Sequence, residues 1–294
     1  MTQPFSRSGA SGADFLLRAG NPDGGWAYAV NQPSCVEATA AVTLALRDRP
    51  DAAEARSRGL AWLVAAQNRD GGWGLTREDG ESGWQTAWAA LVLAHEDDQG
   101  DPLKKAIGWL LRVEAMKFAD DKLQGGVRQA LAFDPTLRGW PWLPNQASWV
   151  EPTALAVLAL ANVPAATPIA ARLDEAVRYL QDRRCTTGGW NVGNPVMLGA
   201  SLPPRAEPTA WVMLALAPLD RDAIVPDDIT ALRSCMQHDG GTLALAWGLL
   251  ALRVLGEDDA AGAARLAALQ ASDGGWDGNP YHTAVAMMAE RGGL

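Results

Sequence analysis

Apolar residues recur along the chain in two alternating kinds of segment. In one, such as GLAWLVAAQ ending at Gln67, they return at i, i+3 and i+4 and leave a polar stripe. In the other, such as WQTAWAALVLA from Trp84, nearly every position is apolar or small. Segments of this second kind begin at Val36, Trp84, Val150, Ala206, Thr242 and His282. They are rich in Ala and Leu and short of β-branched runs, so the pattern predicts helix rather than strand. Amphipathic segments near 13–20, 52–67, 102–115, 168–183, 227–237 and 258–270 precede them in turn. The alternation predicts six helical hairpins, each pairing a half-wetted outer helix with an enclosed inner one. Inner helices that cannot face water favour a closed ring over an open superhelix. The expected fold is all-α: a single closed α/α toroid of six helical hairpins over 13–294, behind a flexible N-terminal tail, 1–12.

Recurrent glycine-tryptophan blocks punctuate the pattern: NPDGGW ending at Trp26, NRDGGW at Trp73, TTGGW at Trp190 and SDGGW at Trp276. Three of them follow a glutamine that closes an outer segment, namely Gln67, Gln181 and Gln270. A degenerate HDGG occupies His238 to Gly241. Glutamine satisfies orphan groups at helix ends, paired glycines supply a turn, and tryptophan packs over it, so these residues read as structural. Two connections are long, 117–148 and 191–205. Both fall where inner helices start, and there they are placed to cap the mouth of a ring.

Composition narrows the class. Hydrophobic residues make up 48% of the chain, enough for a substantial core, and the formal net charge of −9 disfavours nucleic acid as a partner. Cys35, Cys185 and Cys235 form no CxxC and no even set, which suits a reducing compartment. No stretch approaches the roughly 20 apolar residues of a spanning helix, and the polar N-terminus does not read as a signal peptide. A cytoplasmic location is expected. Peripheral membrane contact through an apolar patch stays open, as does the oligomeric state.

The Q-x(n)-GGW blocks resemble the QW motifs of squalene-hopene and oxidosqualene cyclases, found in weaker form in protein prenyltransferase β-subunits. The resemblance covers nearly the whole chain. It implies the toroid fold and an apolar, isoprenoid-type small molecule as substrate. Squalene-hopene cyclases carry D-x-D-D-T-A at an inner-helix start and oxidosqualene cyclases carry D-C-T-A. Here the chain reads Trp149-Val150-Glu151-Pro152-Thr153-Ala154, which lays Glu151 on the acid. Glu207 (RAEPTA) and Glu37 (CVEATA) fall on the equivalent place in their own units. His282 in YHTAV resembles a zinc-binding histidine of the prenyltransferases, but the thiolate of that site is replaced by Thr153, and the flanking carboxylates of D-x-D-D by Trp149 and Pro152. No metal and no cofactor is therefore expected.

Candidate chemistry gathers at the inner-helix starts. Glu151, Glu207 and Glu37, with His282, are the candidate catalytic residues, Glu151 as general acid. A glutamate here also complements the helix dipole, the plain capping alternative; three carboxylates in one apolar concavity would instead raise one another's pKa. Trp149, Trp84, Trp88, Trp211, Trp247 and Gln85 are the candidate substrate-binding residues, since π faces suit a carbocation or an isoprenoid chain. The functional expectation is a terpenoid-cyclase-like enzyme or isoprenoid-binding toroid. The alternatives are a non-catalytic toroid binding a peptide or lipid, a carboxylate-histidine metal site, and an α/α-barrel glycosidase with two carboxylates across a pocket. Asp97, Asp98 and Asp101 match DDxxD but fall in a glycine-containing turn, and Asp227-Asp228 and Asp258-Asp259 read as solvated helix caps. Asp120-Asp121 is the one pair placed to reach the mouth.

Overall fold

A computed structural model describes residues 10–96, 100–118, 120–164 and 166–294. Asp97 and Asp98 lie outside the described residues, as does most of the expected tail. The inner helices are α2 (Val36–Ala45), α4 (Gln85–Ala94), α7 (Val150–Ala161), α9 (Ala206–Leu216), α11 (Thr242–Val254) and α13 (Pro280–Arg291). The outer ones are α1 (Gly12–Ala19), α3 (Ala53–Ala65), α5 (Asp101–Arg112), α8 (Thr167–Asp182), α10 (Pro226–Asp239) and α12 (Ala260–Ala268). Each inner helix packs on the next, and α13 packs on α2, so the ring closes as expected. Each outer helix packs on the inner helix before it, and α10 on its successor α11 as well; α1 correspondingly packs on α13 and seals the seam. It begins at Gly12, where Ser11 and Asp14 form a capping box.

Burial follows the two kinds of segment. Every residue of α2 and of α4 is buried, whereas α5 buries only the stripe Leu103, Ala106, Trp109 and Leu110. Among the described residues no helix is long and apolar enough to cross a membrane.

A repeated clamp joins the two rings. The indole Nε1 of Trp26, Trp73, Trp190 and Trp276 donates to the carbonyl of Leu16, Leu63, Leu180 and Leu266, each in the last turn of an outer helix. Three of those carbonyls also accept the backbone N–H of the capping residue, Ala66, Arg183 or Leu269, so there the indole takes the second lone pair. The backbone N–H of the same tryptophans donates to the hydroxyl of Thr39, Thr86, Thr209 and Thr283, in the first turns of the following inner helices, at 2.9 Å. Trp140, which the block pattern did not flag, makes a fifth clamp, to Leu110 and Thr153. A side chain at the preceding Gly139 would put its Cβ 2.2 Å from the Thr153 hydroxyl. The glutamines follow in two cases: Gln67 and Gln270 donate to the carbonyls of Gly71 and Gly274, while Gln181 reaches only Asp220. Helices α10 and α11 are joined through Gly240 alone in the left-handed region, with no tryptophan and no clamp.

The long connections are not irregular throughout. Residues 117–148 contain α6 (Asp121–Leu131), capped by Asp120, and β1 (Trp140–Pro141), which pairs antiparallel with β2 (Ser148–Trp149). The 191–205 connection forms a hairpin of β3 (Val196–Met197) and β4 (Ala200–Ser201), and the two connections meet where Leu198 N–H donates to Ala130. Asp120-Asp121 therefore starts a helix. Asp259 caps α12, and Asp228, far from being solvated, is fully buried against Arg184 and the Gly189 N–H.

Thr209→Val should leave the buried Trp190 N–H without an acceptor and cost about 1–3 kcal/mol. Urea unfolding of the variant beside the wild type measures this, and a loss within error would mean that the clamp is dispensable.

Candidate functional site

The clamp sets the register of the mouth. Counting back from the clamping threonines, Glu37, Glu151 and Glu207 each stand two residues earlier. Trp84 and Tyr281 hold that same place in their units, while Gln85 and His282 stand one residue on, about 100° further round their helices. The glutamates gather with Tyr281 at one end of the ring. Gln85 and His282 belong to the same end but face differently, and Tyr281 is a site residue that the glutamate pattern concealed.

Glu37 is buried. Tyr28 donates to its carboxylate, and Tyr281 also supports the charge. The Trp88 indole faces the same carboxylate without closing a well-formed hydrogen bond. Burial outweighs these groups and, with a smaller push from Glu207, holds the Glu37 carboxyl at about 7. Glu151 also reaches about 7, through burial first and then the charges of Glu207 and Glu37, and no donor or cation opposes the rise. Burial raises Glu207 too, against the pull of His282 and Arg205. His282 in turn stands 2.7 Å from Asp277, a residue in the left-handed region at φ 55. A second carboxylate thus orients the imidazole from outside the cluster.

One turn deeper the axis is filled. Trp88 on α4 and Trp247 on α11 come from opposite sides of the ring, yet their rings stand 6.1 Å apart. Trp211 lies 5.4 Å from Trp247, and Tyr281 6.1 Å from Trp88. Trp88, Trp211 and Trp247 are 0%, 6% and 2% exposed, so they form a floor rather than the walls of an open well. Their indole N–H groups lack partners, as does the Gln85 amide oxygen. Trp84 packs edge-on against Trp142 at 4.9 Å, under the 117–148 connection. Trp149 is half-buried beside Gly193 and the Val192 carbonyl that receives the Val150 N–H. Above the floor, Glu151 and Glu207 share a cavity of about 280 Å³ with Val192, Arg205, Ala206, Pro208 and Asp239. Among the described residues no group of three or more His, Cys, Asp or Glu side chains is arranged to hold a metal ion.

No family model matches the chain, and no curated protein matches it. Solved structures do. A protein from Actinoplanes is 19% identical, with 96% of this chain and 97% of that one covered and a TM-score of 0.61. A variant of the type II terpene cyclase MstE from Scytonema, in complex with its substrate geranylgeranyl dihydroxybenzoate, is 17% identical over 95% of this chain and 94% of that one, with a TM-score of 0.61. A glycosidase in complex with glucose is 12% identical over 95% of each chain, at 0.60. At these identities the likeness establishes the fold, a helical toroid of the terpene-cyclase-like kind.

The raised carboxyls make stability depend on pH. Their folded values, about 7, lie above the 4.5 of a free glutamate, so between those limits the folded chain holds more protons than the unfolded one. Stability should fall as pH rises through that window and level off above it. Glu151→Gln should match the wild type near pH 4 and exceed it at pH 8 by up to about 3 kcal/mol. Urea midpoints at the two pH values check this; a variant weaker than wild type at pH 8 would mark Glu151 as a mere cap.

Proposed function

We propose that the chain is a proton-initiated, terpenoid-cyclase-like toroid in which Glu151 protonates an apolar, isoprenoid-type substrate. The observation that carries this reading is the set of three glutamates on one rim, Glu37 buried and Glu151 and Glu207 half-buried, two of them near pKa 7, above an indole floor. Of the three, Glu151 is the carboxyl whose charge no donor or cation offsets, so burial and its neighbours hold it in the protonated form that a general acid needs. A carboxylic acid of this strength suits an epoxide or an allylic alcohol better than an unactivated alkene. Proton transfer to the oxygen opens the C–O bond, and the positive carbon then forms in the cavity that Glu151 shares with the Glu207 carboxylate. Glu207, which His282 and Arg205 draw toward the ionised form, is placed to take a proton back. A single toroid is length enough for such chemistry, since the MstE chain is covered over 78% to 94% of its length in its several structures.

One observation favours a second reading. The glutamate cavity, about 280 Å³ and partly polar, falls just under the usual range for small-molecule pockets and suits a single sugar unit better than a long chain. Two carboxylates across such a cavity are the apparatus of glycoside hydrolysis, and a glycosidase shares the fold.

Incubation with the terminal epoxide of farnesol, followed by gas chromatography and mass spectrometry, separates these readings. Cyclised product is expected from the wild type, and Glu151→Gln should lower its rate at least about tenfold, roughly 1.4 kcal/mol. Release of nitrophenol from aryl glycosides instead would favour the second reading. Inertness toward both would leave a non-catalytic binding toroid.

A further inference from the structure

Arg205 and Asp239 meet at 3.5 Å on the rim of the glutamate cavity. On the far side of this pair lies a second cavity, about 530 Å³, running along α10 beneath Pro203 and Pro204 and bordered by Ser234 and Cys235. Arg205 and Asp239 are the two side chains that line both. Neither belongs where it stands on grounds of stability. Arg205 is the N-cap of α9 and offers no side-chain cap, so its positive charge sits at the positive end of a helix dipole. Asp239 is the last residue of α10, a negative charge at the negative end. The pair is also loosely held, its side chains 63% and 29% exposed, and ion pairs of that kind contribute little.

We propose that the Arg205–Asp239 pair is a removable partition, and that an elongated, mainly apolar substrate seats its reacting end beside Glu151 and Glu207 and lays the rest along the α10 groove. This rests on the isoprenoid reading above and resolves its main difficulty, the small volume beside the acid. The groove suits such a chain: proline rings and Ala231 line it together with short hydroxyl side chains, and His238, bonded to the Ser234 carbonyl, is the polar ring among them. Parting Arg205 from Asp239 returns both charges to water and joins the two cavities at the point where the carboxyl groups face.

Cys235 reports on the groove directly. Its thiol, half-buried against the Pro204 carbonyl at 3.4 Å, lines the cavity, whereas Cys35 and Cys185 are buried and serve as internal controls. Farnesol is the probe, and its binding is read independently by tryptophan fluorescence. At about ten times the fluorescence midpoint, alkylation of Cys235 by N-ethylmaleimide, followed by peptide mass spectrometry, should slow about tenfold, the free fraction that mass action leaves. In Asp239→Asn the fluorescence change should develop faster, because the partition is already weakened. A saturable fluorescence change with Cys235 alkylated at its original rate would overturn the groove while sparing the isoprenoid reading. An unchanged association rate in Asp239→Asn would overturn the partition. Absence of any fluorescence change would overturn this inference together with the isoprenoid reading.

Discussion

A tryptophan that bonds in two directions holds the two rings together. Its indole N–H donates to a carbonyl in the last turn of an outer helix, and its backbone N–H donates to the hydroxyl of a threonine at the start of an inner one. Each bond satisfies a group that would otherwise be buried without a partner, and such a group costs far more unmade than the bond contributes when made. Five copies around the ring turn a row of amphipathic hairpins into a closed body whose inner helices meet water only near their ends. The unit without a clamp, α10 with α11, has the shortest link between its helices and no loop for a tryptophan to hold.

Because the threonine fixes each inner helix in rotation, it also fixes what stands two residues before it. A glutamate there has no choice of surroundings: it is carried to the rim of the ring, half out of water and within electrostatic reach of its counterparts. The acid cluster is thus a consequence of the clamp's geometry, and the raised carboxyls follow from burial and mutual repulsion.

Much of this was legible in the chain. The six hairpins, their order and their closure follow from the contrast between striped and wholly apolar segments, and the glutamates from their repeated place. Other features left weaker marks. Gly125 and Gly126 sit inside α6, where propensity argues against helix, and its cap and its contact with the β3–β4 hairpin sustain it instead. Trp140 hid behind a single glycine, although Thr153 thirteen residues on, the interval that also separates Trp26 from Thr39 and Trp73 from Thr86, would have exposed it. That threonine register would likewise have singled out Tyr281. Tyr28, Asp277 and the Arg205–Asp239 pair had no such marker, since their partners come from distant turns. The filled axis was not legible either: side-chain directions around a ring decide whether facing tryptophans line a well or close it.

Two populations of tryptophan divide the work of the molecule. The clamp indoles have their N–H groups paired; the axial ones, Trp88, Trp211 and Trp247, do not. Each unpaired donor costs about 1–3 kcal/mol that phenylalanine would avoid, so packing alone does not account for indoles at the axis. What lies above them does. Trp88 faces the Glu37 carboxylate and eases its charge, and Trp247 faces the hydroxyl of Tyr281, which stays protonated and itself supports Glu37. Glu151 receives no such help. On the proposed reading the asymmetry assigns the roles: donors and cations meet the charge of Glu37 and Glu207, whereas Glu151, whose charge nothing offsets, lines the rim cavity as the proton donor.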